Sequence, residues 1–303
     1  MTTLHIIPEA GLANRLRALG SALWIADVRG VRLVLTWPDD FAISVPFEAI
    51  FENRFDRDAN RLAGASTVTL NDPRSIELPP GESPRPGRVL EIRSSESFSL
   101  SDGPPPYSRA FWSAIRPYLL SLIPVAEVQR RVDALSGRFG VTTLGVHVRS
   151  GAGPVSFNQA DRIVIERFFE EIDRILEVET AAKVFLATDA DIVIERFEER
   201  YGSIVMTAGA EGAAVVRGTA DNVAGLQTAL VDLLLLSKTN LLLGSFFSSF
   251  STVAAVIGAI PLKRLGGEPG EPGGESDFEF LVDRPLLARA AWRLKRHRYS
   301  AER

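Results

Sequence analysis

The feature that most constrains the fold is a rhythm in which short apolar runs alternate with longer segments whose apolar residues recur at helical spacing. Residues 143–148, 184–187, 203–207 and 240–244 read as strands. Residues 163–176, 192–201 and 222–237 lie between them, and a further helix is expected from about Ser248 to Gly258. In 163–176, Ile165, Phe168, Phe169, Ile172 and Leu176 fall on one side of a helix. Strands separated by helices of about ten to fifteen residues imply a mostly parallel sheet.

The chain opens in the same way. Residues 4–8 read as a buried strand and Glu9-Ala10-Gly11 as a turn. Leu12, Leu16, Leu19 and Leu23 then form one helical stripe, and 31–37 a second strand after Gly30. This is the first unit of a doubly wound sheet. Between 71 and 107 prolines and glycines crowd together, so a loop is expected with one strand at 88–92. Residues 107–135 turn helical, with Pro117 and Pro124 expected to break the pattern into pieces. The chain of 303 residues suits two domains, 1–120 and 121–303. Residues 266–276 read as a flexible loop, and 289–303 as a basic tail with a helical pattern.

Composition narrows the chemistry. The absence of cysteine excludes disulfides, thiol catalysis and Cys-built metal sites, and three histidines argue against a His-built zinc site. A net charge of −4 argues against a general nucleic-acid binder. The leucine-rich run 230–236 is far shorter than the roughly 20 residues of a membrane span. No basic segment leads into an apolar one at the start, so the expected location is cytoplasmic.

In parallel sheets ligands sit beyond the carboxyl ends of strands, and three places qualify. Gly11-Leu12-Ala13-Asn14-Arg15 joins the first strand to the first helix, where backbone N–H groups can face an anion. The competing reading is an ordinary connection, with Asn14 capping and Arg15 solvated. His147-Val148-Arg149 ends the strand at 143–148, and alternation puts His147 and Arg149 on one face. The arginine offers a planar fork of donors suited to phosphate oxygens; a surface arginine beside a satisfied core histidine competes with that. Third, Asp232 is a lone charge among leucines, expensive to bury unless bonded. Downstream, Ser245-Phe246-Phe247-Ser248-Ser249-Phe250-Ser251 follows a strand and opens a helix, as an anion cradle or simply a cap.

In order and spacing these elements resemble the fucosyltransferase superfamily, which includes bacterial nodulation, core α1,6- and protein O-fucosyltransferases. The resemblance runs through residues 11–19, 145–149, 185–189 (Phe-Leu-Ala-Thr-Asp), 231–233 and 248–250. It implies an α/β fold of the GT-B type: two Rossmann-like domains with mostly parallel sheets facing a cleft, 1–120 on the acceptor side and 121–303 holding a GDP-sugar. It also implies a role for each motif residue. Arg149 would stabilise the leaving diphosphate as the catalytic residue, and His147 and Asp232 would contact guanine and ribose. Ser248, Ser249 and Phe250 would line the pyrophosphate and base pocket. Gly11, Ala13, Asn14 and Arg15 would face phosphate or acceptor from the first domain. Members invert the anomeric centre without an obligatory metal, and no cofactor beyond the donor is implied. The expected activity is transfer of a sugar, fucose by resemblance, from a GDP-sugar to a hydroxyl of a glycan or other acceptor. A GDP-sugar-binding homologue without transfer activity is the alternative. Many relatives carry a second arginine and then an aspartate after the His-x-Arg; here Ser150-Gly151-Ala152-Gly153 stands instead, opening a glycine-rich loop to Asp161 that is expected to move.

Overall fold

The computed structural model describes residues 2–56, 66–78, 88–149, 159–209, 222–246, 248–266 and 278–283, with backbone only for 159–164. Expectations for Ser150 and the loop after it, for the prolines at 79–80, for most of 266–276 and for the tail at 289–303 lie outside the described residues. The chain divides into two compact units, one of Met1–Gln129 with Thr219–Leu230, the other of Arg130–Gly218 with Val231–Arg303.

In the first unit β1 (Thr3–Pro8), α1 (Leu12–Arg29) and β2 (Arg32–Leu35) form the opening strand–helix–strand. The helix stops at Gly30, whose left-handed φ of 61° turns its N–H back onto Ala26 and Asp27. Next come β3 (Ser66–Asn71), β4 (Ser75–Ile76), β5 (Arg88–Ser94), β6 (Ser99–Leu100), α2 (Arg109–Leu120) and the start of α3 (Ala126–Ser136), which belongs to the second unit from Arg130 on. The main sheet runs β2-β1-β5-β3 and is parallel throughout. Register places Leu4, Ile6, Leu35, Leu90 and Ile92 on one face, and Thr3, His5, Val34, Glu91, Arg93, Thr67 and Thr69 on the other. The first set is apolar and buried; the second is largely polar. Strand β3 was not legible in the sequence, because Ser-Thr-Val-Thr-Leu-Asn is mostly exposed and gains its order only by pairing with β5.

One expectation needs correction here. Pro117 does not break the helix but lies inside α2, which forgoes the one N–H bond that the ring removes; the break falls at 121–125, around Pro124. The chain passes from the first unit to the second after Gln129, within the helical stretch 107–135. The physical reason is that 121–125 is sewn to 50–53: Glu52 N–H bonds Ile123 O at 2.8 Å, Val125 N–H bonds Ile50 O at 3.0 Å, and the Asn53 amide spans Ser121 and Ile123.

The second unit holds β7 (Thr143–Val148), α4 (Gln159–Val178), β8 (Lys183–Thr188), α5 (Asp191–Tyr201), β9 (Val205–Met206), α6 (Val223–Ser237), β10 (Leu241–Ser245), α7 (Ser249–Gly258), β11 (Pro261–Leu265) and β12 (Glu279–Phe280). The start of α6, up to Leu230, belongs to the first unit, where Gln227 donates to Ala49 O at 2.9 Å. The sheet order is β12-β11-β10-β7-β8-β9, with only β12 antiparallel. Its core joins Leu144, Val146 and Val148 of β7 to Phe168, Phe169 and Ile172 of α4 and to Leu241 and Leu243 of β10. The expected helical stripe of 163–176 is thus the buried face of α4. Residues 203–207 are only partly strand: a 3₁₀ turn, Gly202–Ile204, precedes the two-residue β9.

Candidate functional site

Strand β7 delivers His147 and Arg149 to its carboxyl end, and β10 beside it supplies Gly244 opposite His147. A side chain at 244 would fill the space in front of the imidazole, since a Cβ there would lie 2.4 Å from Ser251 Oγ. Glycine instead lets Ser251, in the first turn of α7, reach His147 Nδ1 at 2.9 Å. Ser248 Oγ lies 3.2 Å from the same nitrogen and caps α7 by accepting from Ser251 N–H. Phe250 stacks on the imidazole, 4.8 Å between centroids and 26° between planes. His147 is 8% exposed. Burial, with the Arg149 cation adding to it, pushes its pKa down to about 3, so the ring is neutral at physiological pH.

One residue on, the chain emerges. Ser245 Oγ accepts from the Arg149 backbone N–H at 2.9 Å and donates to His147 O at 3.3 Å, fixing the strand end at two points. The Arg149 side chain is exposed. In the second unit Ser248 and Phe250 thus lie against His147, with Arg149 two residues on along the strand and Ser249 half-buried in the first turn of α7. Gly244, Ser245 and Ser251 complete the arrangement. The serines stood in the run that sequence inspection singled out, but only the register of β7 on β10 shows which of them touch the histidine and which the arginine backbone. Asp232 is buried in α6, 9% exposed.

The Gly11–Arg15 turn lies in the first unit. Gly11 is the N-cap of α1, with no side-chain cap and open space where a Cβ would stand. Asn14 is half-buried and Ala13 buried. Arg15 departs from expectation: it faces neither phosphate nor solvent, being wholly buried. Its guanidinium donates to Ala10 O and Pro38 O, both at 2.8 Å, reaches Ile43 O at 3.4 Å, and pairs with Asp40 at 2.8 Å. It also covers the Trp37 ring at 4.8 Å. Its donors are spent on holding residues 37–43 to the β1–α1 turn. Desolvation works against the Asp40 carboxylate, but the N–H groups of Ala42 and Ile43 and the Arg15 cation outweigh it and hold its pKa below the usual range.

No family profile and no curated protein sequence matches the chain. Solved structures do. NodZ α-1,6-fucosyltransferase soaked with GDP-fucose superposes with a TM-score of 0.61 at 17% identity, covering 93% of this chain and 99% of that one. Arabidopsis thaliana FUT1, a point mutant in complex with GDP, gives 0.59 at 14% identity, with coverage of 89% and 71%. POFUT1 in complex with GDP gives 0.53 at 13%, covering 84% and 94%. Identities this low establish the fold: this chain has the α/β, mostly parallel GT-B architecture of the fucosyltransferases, the superfamily its motifs resemble. Among the described residues no helix is long and apolar enough to cross a membrane.

Proposed function

We propose that the chain is an inverting glycosyltransferase that moves a sugar, fucose by its likenesses, from a GDP-sugar to a hydroxyl acceptor. The observation that carries this reading is the end of β7: an exposed Arg149 whose backbone is pinned by Ser245, beside the Ser248-capped start of α7. Glycosyl transfer breaks a carbon–oxygen bond and leaves the electron pair on a diphosphate. A guanidinium and helix-terminal N–H groups at those oxygens stabilise the charge as it develops. A neutral His147 suits the place, since it holds the serines without adding a proton that titrates near neutrality. Proteins of this fold have been solved with GDP and GDP-fucose bound, which favours a guanine nucleotide donor. The acceptor is a hydroxyl compound held by the first unit.

Calorimetry with GDP and GDP-fucose tests the donor, and release of GDP from GDP-fucose tests the chemistry. Wild type should bind GDP and slowly hydrolyse GDP-fucose. Arg149→Ala should stay folded, lose turnover and bind GDP about 10- to 100-fold more weakly, the range of a lost charge-assisted phosphate contact. Equal GDP affinity in wild type and variant would remove Arg149 from the site.

A further inference from the structure

The two serines beside His147 decide which of its ring nitrogens carries the proton. Ser251 Oγ lies 2.9 Å and Ser248 Oγ 3.2 Å from Nδ1. Both serines are buried, at 1% and 6% exposure, so their hydroxyl protons need an acceptor inside the protein. Ser248 Oγ already accepts the Ser251 N–H as the cap of α7. Among the described residues neither hydroxyl has an acceptor other than Nδ1. With a proton on Nδ1, that N–H would donate to one serine and both buried O–H groups would be left with nothing to bond. With Nδ1 bare, Ser251 donates to it at the shorter distance, and Ser248 points at the same lone pair. Unmet buried donors are costly, so the second arrangement wins. In a neutral imidazole the proton then sits on Nε2, and burial keeps this ring neutral. Nε2 itself has no partner among the described residues. Phe250 covers one face of the ring, which stands near the carboxyl end of β7, where parallel sheets meet their ligands. The arrangement depends on Gly244, since a Cβ there would displace Ser251.

We propose that Ser251, with Ser248, holds His147 in its Nε2–H tautomer and so makes it a hydrogen-bond donor to the GDP-sugar; this rests on the transferase reading. Ser251 is a positioning residue that acts through the imidazole. An N–H at Nε2 takes an oxygen or a bare ring nitrogen of the nucleotide and rejects an amino or N–H group at the same place. The ring selects by the sense of its hydrogen bond without adding charge, and Arg149 supplies the cation.

Nitrogen NMR of the isotope-labelled full chain reads the tautomer without any ligand, the His147 signals being those lost in His147→Gln. Nδ1 should resonate as a bare nitrogen and Nε2 as a protonated one; the reverse overturns the proposal. Ser251→Ala should mix in the Nδ1–H form, because Ser248 is the more distant hydroxyl. Ser251→Thr, which keeps a hydroxyl, should move the spectrum back toward wild type. A Ser251→Ala spectrum identical to wild type, in a variant that urea denaturation shows to be folded, removes Ser251 from the role. Calorimetry with GDP reads the consequence. Asparagine puts its amide near the Nδ1 position and nothing at Nε2, whereas glutamine reaches the Nε2 position with an N–H. His147→Asn should weaken GDP binding about 10-fold and His147→Gln about 2- to 3-fold, the scale of one hydrogen bond. Equal losses in the two variants overturn the ligand-facing donor. Wild type that binds no GDP overturns the transferase reading, while the nitrogen spectrum still decides the tautomer, so the two failures are told apart.

Discussion

Arg15 and Arg149 show how one residue type takes opposite roles according to its partners. Arg15 has its donors satisfied internally, and losing it leaves Asp40 and three backbone carbonyls without their cation. Arg15→Ala should therefore cost about 3–5 kcal/mol of stability in urea denaturation, as expected for breaking a buried pair, with GDP affinity changed less than twofold. His147 supplies a pH signature. Its folded pKa, about 3, lies below the unfolded 6.5, so the unfolded chain binds the extra proton between those values. Its stabilising contribution is complete above about pH 6.5 and is lost as pH falls, at roughly 1.4 kcal/mol per pH unit. Denaturation of wild type and His147→Gln between pH 4 and 7 should show this slope in wild type and a shallower one in the variant. The burial of Arg15 was not legible in its motif, and that of His147 was only one of two readings, because burial is set by segments distant in sequence: 37–43 in one case, β10 and α7 in the other.

Among elements, those with internal periodicity were readable and those ordered by a neighbour were not. The apolar rhythm located β1, α1, β7, α4, β8, α5, α6, β10 and α7 to within a few residues. It missed β3, β11 and the two-residue β4, β6 and β12, and it shortened β5, whose polar end pairs with β1. The glycines carry a further lesson. Gly244 and Gly258 look like loose positions in the sequence, but a Cβ at 258 would stand 2.0 Å from Ser237 O, where α7 closes on the end of α6. Gly258→Ala should cost more than the about 1–3 kcal/mol typical of overpacking, since backbone must move. Gly244→Ala displaces a side chain, Ser251, and should show itself as weaker GDP binding as well as lower stability. Urea denaturation paired with GDP titration separates the two effects.

At the scale of the whole molecule the chain is not cut where its sequence changes character. The first unit takes back Thr219–Leu230 after the second has begun. A fragment starting at Arg130 would carry Leu226 and Leu230, buried in the full chain, without their surroundings, and should aggregate where the full chain stays monodisperse in size-exclusion chromatography. Ligand linkage applies to the intact chain. GDP at a hundredfold excess over its Kd should stabilise it by about 2.7 kcal/mol and raise the melting temperature, with UDP having little effect if guanine is recognised. What the sequence determined by itself was the α/β class, the parallel sheets and the short list of strand-end residues. Those depend on periodicity and local turn chemistry, which each segment carries within itself. Tertiary structure decided which side chains meet: Ser251 reaching His147 through the gap at Gly244, and Arg15 turned inward onto 37–43. Such contacts join residues on strands and helices far apart in the chain, and only the register of the sheets selects them.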